Sequence, residues 1–260
     1  MEFGFDPQIA IIGLFVGCMI GLTGMGGGAL MTPILILFLG VKPTLAVGTD
    51  LAYAAVTKIF GGVVHFRQKT VEPKIVLYLA LGSVPSTLLS VQLVVWIKHH
   101  YGTLVDLIVM KALGTGLIIL AVVLVLKSFL VRKIKQKHPV TVGHGRKWFT
   151  FATGATVGFL VGLTSVGSGT LIVVALLFLF PALPSNRVVG TDVAHAALLV
   201  SAAGLAHWHG GNVEWPLVGN LLIGSIPGVF LGSRLTAHVP DGYLRPVLAS
   251  LLLITGYKLI

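Results

Sequence analysis

Apolar residues run almost unbroken through this chain, interrupted by short polar connectors, and that pattern restricts its possible folds more than any single motif does. The runs lie near 9–22, 28–40, 45–65, 75–97, 104–127, 149–163, 170–182, 188–208, 217–236 and 244–260. With 55% hydrophobic residues, 10% charged ones and a mean hydropathy of +0.98, the 260-residue chain has more apolar surface than a water-soluble core can hide. A bilayer is the solvent it fits. There the backbone must satisfy its own hydrogen bonds, which leaves helices or a closed barrel. The runs are continuous and do not alternate, so the expected fold is an all-α integral membrane protein. Hydrocarbon is crossed by ~20 helical residues. The first, second, sixth and seventh runs are short for that, and each short pair flanks a glycine cluster. These pairs are expected to form re-entrant-type helical hairpins, which a bilayer tolerates where the irregular tip is covered by protein or lines a cavity.

The formal charge of +10 reflects membrane orientation and not nucleic-acid binding, because Lys and Arg sit in connectors and no basic helix interleaved with aromatics occurs. Lys127, Arg132, Lys133, Lys135, Lys137, Arg146 and Lys147 crowd one connector without an acidic residue. The positive-inside rule places that connector in the cytoplasm. It divides the chain into a first transmembrane repeat at 1–127, a basic linker at 128–148 and a second repeat at 149–260. Glu2 and Asp6 without a basic residue open the chain, so a cleavable signal peptide is not expected. Cys18 has no partner for an intrachain disulfide. No zinc, phosphate-loop or dinucleotide motif calls for a metal or cofactor.

The two halves are related. Gly17, Gly21, Leu22, Thr23, Gly26, Gly28, Leu30 and Pro43 recur 141 positions later as Gly158, Gly162, Leu163, Thr164, Gly167, Gly169, Leu171 and Pro184. Beyond a one-residue insertion the shift is 142, and Gly48-Thr49-Asp50 matches Gly190-Thr191-Asp192, His65 matches His207, Glu72 matches Glu214, and Gly82-Ser83 matches Gly224-Ser225. Rare polar residues kept in order point to duplication. Each copy holds five apolar segments, or one hairpin and three spans. Both counts are odd, so the copies are expected to insert with inverted topology. On that reading thirteen of the eighteen Lys and Arg residues are cytoplasmic, Lys42, Lys98 and Lys258 are external, and both termini are external.

Inverted repeats with interrupted helices are the architecture of secondary transporters, which bind substrate near the midplane where the repeats meet. The two tips, Gly24-Met25-Gly26-Gly27-Gly28 and Ser165-Val166-Gly167-Ser168-Gly169, are expected to approach each other there. Each returning helix begins at its tip, so free N–H groups and the positive end of its dipole favour an anion. Gly26, Gly27, Gly28, Ser165, Gly167, Ser168 and Gly169 are therefore candidate substrate contacts. Tight helix packing is the competing use of such glycines.

The order Gly24 to Gly28, Leu30, Pro33, Gly40, Pro43, Ala46, Gly48-Thr49, Gly61 and His65 with Arg67 resembles the sulfite exporter TauE/SafE family, also called the toluene sulfonate uptake permeases. The resemblance covers nearly the whole chain. It implies a prokaryotic cytoplasmic-membrane carrier for a small sulfur oxyanion or organosulfonate, such as sulfite or sulfoacetate, driven by an ion gradient with protons or sodium as coupling ion. The second copy departs from the pattern, with Val174 for Pro33 and Ser168 for Gly27.

Within the spans, Asp50, Ala54, Lys58, Gly61 and His65 share one helical stripe, matched by Asp192, Ala196, Val200, Ala203 and His207. Asp50, Lys58 and Asp192 are candidate substrate contacts, as are Thr49 and Thr191, whose hydroxyls can instead bond their own helix. His65 and His207, with Asp50 and Asp192 brought to similar depths by inversion, are candidate gating or proton-coupling groups. The competing reading makes the two Asp residues helix N-caps and leaves the two histidines at an interface. Lys58 must pair or snorkel unless it meets an anion. His195 is a weaker lining candidate, Asp106 with Lys111 reads as an interfacial anchor, and Trp148, Trp208 and Trp215 as aromatic belt. Two other function classes remain: a passive anion channel, and an intramembrane hydrolase using Ser168 with His195 or His207.

Overall fold

The computed structural model describes residues 4–23, 28–130, 144–235 and 241–260. Among these residues the fold is all-helical, with ten α-helices: α1 (Pro7–Thr23), α2 (Gly28–Leu37), α3 (Pro43–Arg67), α4 (Pro73–Tyr101), α5 (Leu104–Leu130), α6 (His144–Thr164), α7 (Thr170–Leu179), α8 (Ser185–His209), α9 (Trp215–Leu235) and α10 (Asp241–Leu259). Every predicted apolar run is one helix. Proline sets several starts, since α3 and α4 open on Pro43 and Pro73, where a missing N–H costs nothing. Most of the basic connector at 128–148 lies outside the described residues, as do 24–27.

Five helices are long and apolar enough to cross a bilayer: α3, α4, α5, α8 and α9. The four short runs are not alike. Helix α1 has 17 residues and α6 has 21, ~25 and ~31 Å at 1.5 Å per residue. Helices α2 and α7 have ten each, ~15 Å, and end three residues sooner than the runs at 28–40 and 170–182. Hydropathy continues past those ends but the helical backbone does not. Gly40 turns through φ +64°, and Phe180 leaves helical geometry at φ −132° and ψ 64°.

Helices pack across the two halves. A Cβ added to Gly13, Gly17 or Gly21 of α1 would come within 2.5 Å of the carbonyl oxygens of Leu221, Ser225 and Val229 of α9. At the equivalent positions Gly154 and Gly158 of α6 press on the Leu79 and Ser83 carbonyls of α4, and Gly162 on Ser90 and Thr87. Lipid gives helices no hydrophobic reason to associate, so backbone approach through small residues supplies the attraction. Helices α3 and α8 cross antiparallel, Gly62 meeting Ala194 and Ala197 while Gly204 meets Ala52. Helices α5 and α10 do the same, Gly114 lying against Ile260 and Gly256 against Ile118. The outward faces are apolar, with Phe60 72% and Leu89 65% exposed, as a lipid-facing belt requires.

Candidate functional site

Asp50 and Asp192 are each the eighth residue of their helix, counted from Pro43 and Ser185. Neither caps an N-terminus, which corrects the capping reading. Both are buried, as are the threonines before them. The three residues of the Gly-Thr-Asp motif divide the work. Gly48 lets the Asn212 carbonyl approach to where a Cβ would be 2.0 Å from it, and Gly190 does so for the Thr70 carbonyl at 2.6 Å. The Thr49 hydroxyl accepts the N–H of Glu214 at 3.1 Å, and Thr191 accepts that of Glu72 at 3.0 Å. Among the described residues each threonine hydroxyl thus bonds neither its own helix nor a neighbour in its own half. It pins the connector leading into α4 or α9 of the other half, next to the buried aspartate one residue on.

The break between α6 and α7 is buried from Thr164 to Thr170. Two residues take left-handed backbone there, Ser165 at φ +60° and Gly167 at φ +100°. Ser165 donates its hydroxyl to Asp50 Oδ2 at 2.9 Å, and Thr32 of α2 donates to the same oxygen at 2.5 Å. Oδ1 of Asp50 is buried without a partner among the described residues. The Lys58 Nζ donates to Ser168 Oγ at 2.9 Å and lies within electrostatic reach of Asp192, Asp50 and His195. No acceptor among the described residues takes the N–H groups of Ser168, Gly169 or Thr170, the positive start of α7. One ammonium, two carboxylates, two serine hydroxyls and a helix N-terminus therefore converge where α2, α3, α7 and α8 meet. That set can hold a small anion against Lys58 and the α7 amides, with Asp50 and Asp192 as counter-charges.

Of the candidates read from sequence, Asp50 with Ser165 and Lys58 with Ser168 form two hydrogen-bonded pairs, with Asp192 in electrostatic reach of Lys58; Gly167 and Gly169 lie in the same break. Gly26 and Gly27 lie outside the described residues, and Gly28 opens α2. The histidines make their hydrogen bonds to other partners. His65 is half-buried, its Nδ1 3.0 Å from the Thr70 hydroxyl. His207 is buried, its Nε2 2.9 Å from the Gly162 carbonyl, with its Cβ near Gly48. His195 places Nε2 2.8 Å from Ser83 Oγ. Neither His195 nor His207 makes a hydrogen bond to Ser168, whose hydroxyl accepts from Lys58, so the histidine-activated serine of the hydrolase reading is not formed. Asp106 is not paired as a surface anchor with Lys111 but accepts from the backbone N–H of Thr44 at 3.1 Å and from its hydroxyl. Sequence reasoning missed Thr32 and Ser83. The signal for Thr32 was its uniqueness: like Lys58, it has valine at the matching position of the other half, Val173.

Residues 9–259 match the family described as Sulfite exporter TauE/SafE. Over 97% of this chain and 99% of the relative, the sequence is 43% identical to the Probable membrane transporter protein YjnA of Bacillus subtilis (strain 168). It is 24% identical to the Probable membrane transporter protein YdhB of the same organism, over 95% of this chain and 99% of that one. A Probable membrane transporter protein of Methanocaldococcus jannaschii is 27% identical, over 98% of this chain and 97% of its own length. No solved structure gives a significant match.

Proposed function

The chain belongs to the sulfite exporter TauE/SafE family and is a multi-pass membrane transporter, and from that premise we propose that it moves a small sulfur-containing anion, sulfite, sulfoacetate or another organosulfonate, by alternating access between two inverted repeats. The observation that carries this reading is the half-buried Lys58 held to Ser168 at the α6–α7 break, within electrostatic reach of Asp50 and Asp192. An unsubstituted lysine in the middle of a span is costly, ~2.5–3.5 kcal/mol on insertion scales, and an anion gives it a reason to stay. The α7 N-terminus adds donors on the same side.

Inversion is supported by the antiparallel crossing of equivalent helices, α3 with α8 and α5 with α10. A repeat boundary in the basic connector at 128–148 agrees with that pairing. An anion arriving beside two carboxylates adds uncompensated negative charge in a poorly polarisable medium, so a proton or a sodium ion on Asp50 or Asp192 accompanies it. The interior-negative potential of a prokaryotic cell expels anions, which favours export.

Counterflow of labelled sulfite into proteoliposomes tests the reading. Saturable counterflow is expected from the intact protein, and loss of about tenfold or more in Lys58→Gln, with partial retention in Lys58→Arg. Equal counterflow in Lys58→Gln and the intact protein removes Lys58 from the site. Flux without counterflow favours a channel.

A further inference from the structure

The ends of α3, α4 and α5 and the α8–α9 connector line a half-open pocket of about 430 Å³ that shares no lining residue with the central cluster. Lys42, Lys98, Thr103, Thr44, Asp106 and Asn212 contribute to its wall. Asp106 keeps its negative charge while accepting from the N–H and hydroxyl of Thr44, and two ammonium groups against this one carboxylate leave the wall net positive. Lys98 is oriented by a buried residue, its Nζ donating to Asn212 Oδ1 at 2.5 Å. Asn212 Nδ2 is left without an acceptor among the described residues. Lys42 makes no side-chain bond among the described residues and is exposed.

Two features tie this pocket to the transport path. Thr44 in its wall and Asp50 in the centre are six residues apart on one helix, ~9 Å. The Asn212 carbonyl rests on Gly48, and the neighbouring Glu214 N–H is pinned by Thr49. The feature is also one-sided. Lys42, Lys98 and Asp106 correspond to Leu183, Pro240 and Leu248 in the other half. Near Leu183, Arg187 forms an ion pair with Glu72 at 2.5 Å.

We propose that this pocket is a second oxyanion site, an antechamber on one face of the membrane in which Lys42 and Lys98 concentrate the anion before or after it meets Lys58. The proposal rests on the anion-transport reading for its place in the path, but binding to the pocket is separable from transport. In export the pocket is the last station and in uptake the first. Its ligand is a small oxyanion held by charge and by few directional bonds, so its affinity falls as salt rises while that of the enclosed centre changes less.

Equilibrium dialysis of 35S-sulfite against detergent-solubilised protein distinguishes the two sites. The intact protein is expected to bind two classes of sulfite. Lys42→Gln combined with Lys98→Gln weakens one class about tenfold and makes the remaining binding insensitive to salt, whereas Lys58→Gln removes the other class. Loss confined to the Lys42 and Lys98 variants supports the pocket and removes the central reading. Identical isotherms for the intact protein, Lys42→Gln and the paired variant overturn the pocket whatever Lys58→Gln does. Should loss of the Lys98–Asn212 bond unfold the paired variant, Lys42→Gln alone decides. Phosphatidylglycerol that co-purifies with the intact protein, is absent from Lys42→Gln and resists displacement by sulfite overturns the proposal in favour of a lipid-phosphate site.

Discussion

Ser165 stands at φ +60°, where a side chain is disfavoured, and its hydroxyl helps hold the Asp50 carboxylate. Backbone strain of this kind persists where surroundings over-determine it and is concentrated at working sites. A prediction separates the strain from the hydrogen bond. Ser165→Ala keeps the left-handed backbone and loses the hydroxyl, while Ser165→Gly loses the hydroxyl and relieves the strain. The glycine variant is therefore expected to be the more stable of the two by roughly 1 kcal/mol, the reverse of their order in an ordinary helix. Thermal unfolding in detergent measures this, and an alanine variant as stable as the glycine one would show that the backbone there is not strained. At this scale much of the centre was legible. Asp50 and Lys58 are rare polar groups in an apolar run, where the membrane demands a reason for each, and Ser168 stands in the glycine cluster between two short runs. The targets of Thr49 and Thr191 were not legible, because a hydroxyl that reaches the opposite half leaves no mark on the periodicity of its own helix. Thr32 was hidden for a related reason: a lone threonine in an apolar helix can bond its own backbone, and only the fold brings it to Asp50.

Among the helices, the steps Gly13, Gly17, Gly21 and Gly154, Gly158, Gly162 carry packing and not ligand contact. A Cβ at Gly158 would lie 2.4 Å from the Ser83 carbonyl oxygen and 2.6 Å from its Cα, both backbone atoms that cannot move aside. Gly158→Ala is expected to lower stability by ~1–3 kcal/mol through overpacking. At Gly116 the nearest atom is the Thr164 hydroxyl at 3.9 Å. Gly116→Ala is expected to be neutral or stabilising, by up to ~1 kcal/mol, because the helix interior favours alanine. Unfolding midpoints of the two variants test the pair together, and equal midpoints would refute the close approach of α6 and α4. The existence of all ten helices was written in hydropathy, but the ends of α2 and α7 were not. Residues 38–41 and 180–183 remain largely apolar, so the run continues while Gly40 and Phe180 turn the chain. Nor did spacing distinguish a glycine that packs a helix from one that cradles a ligand. Which neighbour lies opposite decides that.

The whole molecule combines a nearly symmetric frame with an asymmetric centre. The frame repeats down to single contacts: Thr49 with Glu214 and Thr191 with Glu72, Gly17 on Ser225 and Gly158 on Ser83. The centre does not. Lys58 matches Val200 in the second half, Thr32 matches Val173, and His195, bonded to Ser83, matches Tyr53, whose hydroxyl faces Ser225 without closing a hydrogen bond. A single small anion, as proposed above, would need only one such cation, and Lys58 has valine, Val200, at its matching position. Lys69 and Gly211 offer a test of the inverted frame, since they occupy matching connectors and share a left-handed backbone at φ +57° and +66°. In a Cys18→Ala background, Lys69→Cys and Gly211→Cys should react with a membrane-impermeant thiol reagent from opposite faces, the first in inside-out vesicles and the second in right-side-out ones. Labelling of both from one face would place equivalent connectors on the same side of the membrane. The antiparallel crossing of α3 and α8 would then be a packing accident, and the proposed alternating access between two oppositely directed halves would lose its structural basis.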